Sequence, residues 1–250
     1  MRAALKSVCI FCGSASGSHP EYAAAARQLG GELARRGLAL VYGGGRVGLM
    51  GEIATAVTEA GGTVVGVIPH ALAGKEIAYA QADELIVTDT MHARKSLMAD
   101  RADAFVALPG GFGTCDELFE ILTWAQLGIH AKPVGLLNVS GFFTPLLAWL
   151  DNVVREGLLK PRHRDLLLVS ESAGDLLDRL QGYIPPPPTM KWVLPADDHS
   201  SSSSSLRRFF FFFFETGRVQ TRLSGSSQMI AHGIFGLGPS RLPGRWSRNT

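Results

Sequence analysis

The chain has 250 residues, 46% of them hydrophobic and 18% charged, with a mean hydropathy of +0.14. That is enough apolar material for the full core of one domain, or at most two small ones, and it excludes a globally disordered chain. The formal charge of +2 is unevenly placed: from Pro186 onward eight basic residues face three acidic ones, whereas residues 1–185 carry net −3, so the basic character belongs to the tail and is no nucleic-acid footprint of the folded part.

No apolar run approaches the ~20 residues that a membrane helix needs. The N-terminus lacks the small-residue cleavage site of a signal peptide. Three cysteines, an odd number without a secretory signal, point to a reducing compartment. Cys9 and Cys12 have redox or zinc spacing, but they lie in the apolar stretch Val8-Cys9-Ile10-Phe11-Cys12. In a strand, residues three apart point to opposite faces, so the two are expected to be plain strand residues.

Strand, glycine-rich turn and helix then alternate. Val8–Phe11 reads as a strand, Pro20 to about Arg36 as an alanine-rich helix ended by Gly37, and Leu38–Tyr42 as the next strand. A helix from about Val47 to Ala60 stops at Gly61-Gly62, and Thr63–Ile68 is a β-branched strand ended by Pro69. His70–Asp83 has weak periodicity and reads as a loop with a short helix. Glu84–Thr88 suits a strand, Met91–Ala102 a helix and Ala104–Leu108 a strand. A helix from about Thr114 to Gly128, a strand Pro133–Leu137, a helix Phe143–Glu156, a strand Leu166–Val169 and a helix Ala173–Leu180 complete the series. Short apolar strands alternating with amphipathic helices imply an α/β fold, a doubly wound parallel sheet in a single domain spanning residues 1–184. Residues 185–250 form a tail rich in Pro, Ser and Phe, expected to be disordered beyond about 194.

Ligands of such sheets bind at the carboxyl ends of the strands, and three strands here end in glycine-rich turns on that rim. Pro109-Gly110-Gly111-Phe112-Gly113-Thr114 joins a strand to a helix, so free amides and the positive helix end converge, which suits a phosphate. Thr114 is placed to cap the helix. Glu117, one turn in, is expected to stay ionised and to meet ribose hydroxyls or a developing positive charge; alternatively it is only the capping-box partner of Thr114. Gly43-Gly44-Gly45 and Gly13-Ser14-Ala15-Ser16-Gly17 are two further candidate turns, although close helix–strand packing also explains the first. Arg94 and Lys95 in the first turn of a helix oppose its dipole and call for a phosphate or carboxylate partner, unless they are a solvated pair. No cluster has metal-ligand spacing, and neither a metal nor a cofactor is expected.

Taken together, Pro109-Gly110-Gly111-x-Gly113-Thr114-x-x-Glu117, Tyr42-Gly43-Gly44-Gly45-x-Val47-Gly48-Leu49-Met50-Gly51 and Met91-His92-x-Arg94-Lys95 resemble the LONELY GUY family of plants, over roughly Ser7 to Leu194. The resemblance implies a Rossmann-like homodimer, cytoplasmic and also nuclear, that splits a cytokinin riboside 5'-monophosphate into free base and ribose 5-phosphate. It implies catalysis by Arg94 and Glu117. It implies substrate contacts from Glu76, Lys95, Gly110, Gly111, Phe112, Gly113, Thr114, Cys115, Asp116 and Thr123, beside the Gly43, Gly44, Gly45 and Ser14 turns. The partner is a small nucleotide, with neither nucleic acid nor membrane. Ala15 departs from the family, whose loop carries serine there, and removes one candidate hydroxyl contact. A nucleotide-binding module without catalysis and a hydrolase of AMP or purine nucleotides in general remain as alternatives.

Overall fold

The computed structural model describes residues 4–73 and 78–186. Glu76 and the tail beyond 186 lie outside the described residues. The strands are β1 (Ser7–Phe11), β2 (Ala39–Tyr42), β3 (Val64–Pro69), β4 (Glu84–Thr88), β5 (Ala104–Ala107), β6 (Val134–Leu137) and β7 (Leu167–Ser170). The helices are α1 (Pro20–Arg35), α2 (Gly48–Glu59), α3 (His70–Leu72), α4 (Met91–Arg101), α5 (Phe112–Leu127), α6 (Thr144–Arg155), α7 (Pro161–Arg164) and α8 (Ala173–Gly182).

All seven strands pair in parallel in the order β4-β3-β2-β1-β5-β6-β7. This is the expected Rossmann-like, doubly wound sheet. Its two faces can be read from strand alternation. Val8 and Ile10 of β1, with Ala104 and Val106 of β5, pack on Leu29 and Leu33 of α1, Ile53 and Val57 of α2 and Leu176 and Leu177 of α8. Cys9, Phe11, Phe105 and Ala107 face the other way, toward Met98 of α4, Leu118 and Ile121 of α5 and Leu150 of α6. Cys9 and Cys12 accordingly belong to opposite cores, as free thiols.

The start of β1 is tied to β5: the Asp103 carboxylate accepts from the Lys6 amide at 2.8 Å and from the Ser7 amide at 3.1 Å. Four helices stop where glycine takes the left-handed conformation, at Gly37 (φ +67°), Gly61 (φ +72°), Gly128 (φ +75°) and Gly157 (φ +75°). One boundary differs from expectation. Helix α5 begins at Phe112 with Gly111 as its N-cap, and that cap makes no side-chain hydrogen bond. Thr114 is therefore inside the first turn, buried, and not a cap.

The strand order reverses between β1 and β5, and β2, β1 and β5 are neighbours, so the three glycine turns abut. The Gly13 amide donates to the Pro109 carbonyl at 3.0 Å, and the Met50 amide reaches the Gly13 carbonyl at 3.4 Å. Gly48 has φ +61°, and a Cβ there would strike the backbone of Ser14 and Ala15. Gly31, in the middle of α1, has open space around it. Gly48→Ala is expected to cost ~2 kcal/mol or more. Gly31→Ala is expected to stabilise by roughly 0.5–1 kcal/mol. Thermal unfolding of the two variants should move Tm in opposite directions.

Candidate active site

The turn after β5 presents the first amides of α5, which have no acceptor within the helix; the first helical bond is Cys115 N–H to the Gly111 carbonyl at 3.1 Å. Gly110 is needed for packing, since a Cβ would overlap the Thr114 side chain and come within 2.9 Å of the Gly13 nitrogen. At Gly111 and Gly113 no protein atom stands in the way, and the open space there is available to a ligand. In front of this turn lies a crevice of about 290 Å³ between Pro109–Gly111 and the Gly13–Gly17 turn, with Ser14 on its wall and Tyr22, Leu49 and Phe142 closing it. It sits where the strand order reverses, the crevice that doubly wound sheets use for ligands.

On the other side of the same turn, α4 and α5 bring Arg94 and Glu117 together. Arg94 Nη1 is 3.4 Å from Glu117 Oε1, and their side chains are only 12% and 11% exposed. Three contacts aim the guanidinium. Its Nε donates to the Val67 carbonyl at 3.1 Å, Nη1 lies 3.2 Å from Met91 Sδ, and Nη2 occupies the space that a side chain at position 43 would fill. Gly43 is glycine because Arg94 lies against it, so this turn serves the site by leaving room rather than by offering amides. Gly44 takes the left-handed conformation at φ +73°, and Gly45 bridges to Ala78, just after the undescribed segment that contains Glu76.

Burial pushes the Glu117 carboxyl up to about 7; Arg94 opposes the rise, Asp116 adds to it, Lys95 opposes it and Glu120 adds to it. Burial thus outweighs the helix end expected to keep Glu117 fully ionised: Glu117 is about one and a half turns into α5, past the first turn where that effect acts. The capping-box alternative fails as well, because Thr114 is not the cap. The paired cations of α4 do have carboxylate partners. Lys95 Nζ lies 3.0 Å from Asp116 Oδ2 and 3.1 Å from Glu120 Oε2. Burial would lower its pKa, but those hydrogen bonds outweigh it and hold the ammonium above its usual value. Helix α4 itself is capped by Thr90, whose hydroxyl accepts from the Ala93 amide at 3.1 Å.

Other expected site residues are placed differently. Thr123 is six residues beyond Glu117, ~9 Å along the helix; its hydroxyl is spent on the Phe119 carbonyl at 2.7 Å, and it lines a separate small hollow with Leu159 and His163. Phe112 is 98% exposed at the tip of α5. Cys115 is half-buried, and Asp116 faces Lys95. Sequence reasoning missed Glu120, although its spacing of three from Glu117 put it on the same helical face. It also missed the Val67 carbonyl, for which no sequence signal exists. A larger hollow of about 700 Å³ lies at the far end of α5, around Ile129, His130 and Arg162. It contains no carboxylate and is remote from the glycine turns. Among the described residues, no group of three or more His, Cys, Asp or Glu is arranged to hold a metal ion.

Residues 50–180 match the family model described as "Possible lysine decarboxylase". Over 178 residues the chain is 53% identical to a probable cytokinin riboside 5'-monophosphate phosphoribohydrolase of Oryza sativa subsp. japonica, covering 71% of this chain and 78% of that one. Over 180 residues it is 51% identical to a cytokinin riboside 5'-monophosphate phosphoribohydrolase of Arabidopsis thaliana, covering 72% and 83%. Among solved structures, the molybdenum cofactor binding protein of Rippkaea orientalis superposes with a TM-score of 0.55 at 23% identity, covering 71% of this chain and 96% of that one. The Moco carrier protein of Chlamydomonas reinhardtii gives 0.54 at 24%, with 71% and 96% covered. These two share the fold. The level of identity to the plant proteins, over most of their length, decides the family: this chain is a member of the LONELY GUY family of cytokinin riboside 5'-monophosphate phosphoribohydrolases.

Proposed function

We infer that the protein hydrolyses the N-glycosidic bond of cytokinin riboside 5'-monophosphates, releasing the free base and ribose 5-phosphate. The observation that carries this reading is the buried Arg94–Glu117 pair directly behind an open, amide-lined helix start. The 5'-phosphate is held at the crevice by the amides around Gly111–Thr114 and by Ser14, so binding energy remote from the sugar supports the chemical step. Cleavage builds oxocarbenium character at C1'. The Glu117 carboxylate faces that charge, binds ribose hydroxyls and orients the attacking water. The water oxygen bonds to C1' and gives up a proton, the C1'–N bond breaks, and its electron pair leaves with the base, which takes up a proton, so the net change is the addition of one water. Arg94 positions the nucleotide and steadies the departing base. Lys95 joins the substrate contacts from the edge of the site. A lysine decarboxylase reading is disfavoured because Lys95 is an ammonium held by two carboxylates, the opposite of the free amine that Schiff-base chemistry requires.

We further place the enzyme as a homodimer in the cytoplasm and nucleus. Trp149 is 54% exposed and packs edge-on against Phe119, while Leu127 and Ile129 are exposed beyond the same stretch of α5. Such an apolar face suits a second copy. Light scattering should return twice the chain mass of 26.8 kDa; a monomer at micromolar concentration would refute the assignment.

Incubation with N6-isopentenyladenosine 5'-monophosphate should release free base, the nucleoside lacking phosphate should turn over far more slowly, and parallel turnover of AMP sets the preference for the side chain. Glu117→Gln should reduce kcat by about 100-fold or more while the nucleotide still binds. A variant as fast as the unaltered enzyme would sink the mechanism.

The acid limb of the pH profile follows from the raised Glu117 carboxyl. The active form is the carboxylate, so kcat/KM should climb about tenfold per unit at low pH and level off above about 7. A limb near 4.5, the value of an unperturbed glutamate, would show that Glu117 is not the group that titrates.

A further inference from the structure

Helices α4 and α5 face each other with their charges in register. Arg94 meets Glu117, and Lys95 meets both Asp116 and Glu120. The two partners of Lys95 are not equivalent. The Asp116 side chain is 61% exposed and that of Glu120 25%, while Lys95 itself is only 11% exposed. Water screens a pair with so exposed a member and leaves it little net strength, so Asp116 can give up Lys95 when a substrate arrives. The contact with Glu120 lies deeper and persists. Glu120 is also three residues from Glu117, on the same side of α5, which brings its charge to bear on that carboxyl.

We propose that Glu120 is a positioning residue of the reaction: it anchors the Lys95 ammonium at the edge of the site and adds its negative charge to the field in which Glu117 works. Among the described residues, few groups face Glu117. Arg94 and Lys95 come from α4, Asp116 and Glu120 from α5 itself, and the thiols of Cys9 and Cys12 from β1 and its end. Burial pushes both thiols up, so they carry no charge near neutrality. Near pH 7 the described residues therefore set two cations against two carboxylates, and Glu120 is the more buried of those carboxylates.

This inference rests on the hydrolase reading, and two substitutions in the full chain separate its parts. E120Q keeps the reach to Lys95 and removes the charge. Loss of a neighbouring anion favours the ionised form of Glu117, so the acid limb of kcat/KM should move toward lower pH, by roughly 0.3 unit. E120D keeps the charge and shortens the reach, so Lys95 loses its anchor; KM should rise roughly threefold to tenfold with kcat changed less and the limb not moved toward lower pH. An unmoved limb in E120Q overturns the proposal, and so does a wild-type KM in E120D. Should E120Q not fold, E120D decides alone. Carboxyl 13C titration of Glu117 in both variants reads the same field without turnover. If the wild-type enzyme releases no base, the hydrolase reading has failed, and this titration still tests Glu120.

Discussion

A carboxylate has been taken out of water at the carboxyl edge of the sheet, and much of the local architecture exists to make that tolerable. Glu117 is buried beside Arg94, and removing either partner from such a pair strands a charge at a cost of several kcal/mol. Holding the carboxyl ionised above pH 7 costs roughly 3 kcal/mol relative to a solvated glutamate. The Val67 carbonyl, the missing side chain at Gly43 and the thioether of Met91 each fix Arg94 so that it can serve as the partner. The Lys95 network ties α4 to α5 beside it. A glutamate that titrates near neutrality is close to both of its protonation states, which proton-transfer chemistry favours.

The sheet decides where this pair stands. Because strand order reverses between β1 and β5, α1 and α5 leave the rim on opposite faces and the turns between them part into a crevice. The same turn of α5 then works on two sides. Its amides face the crevice, while Glu117, deeper in the helix, faces α4. The glycines divide the labour: Gly48 and Gly110 let turns touch, Gly43 admits a guanidinium, and Gly111 and Gly113 stay open.

The fold was legible in the sequence nearly element by element. Short β-branched strands and glycine stops carry their own signals, and every expected strand and helix among the described residues formed within a few residues of its expected place. The start of α5 was misplaced because Thr114 looked like a cap, and a threonine inside the first turn reads the same as one just before it. The paired charges of α4 signalled that partners must exist, but not that those partners sit on the next helix. Thr123 shows the reverse limit: it shares a helix with Glu117 but not a face or a pocket.

What the sequence determined by itself was the doubly wound class, the rim on which the turns gather and the residue types able to grip a phosphate and face a cation. These are local properties, set by periodicity, backbone freedom and chemistry at a spacing. What only the tertiary structure decided was protonation and pairing. Glu117 reads from sequence as an ionised residue near a helix start; it titrates near neutrality because the packing of α4, α5 and β1 removes its water. Desolvation depends on what surrounds a group from all sides, and those neighbours come from segments far apart in the chain.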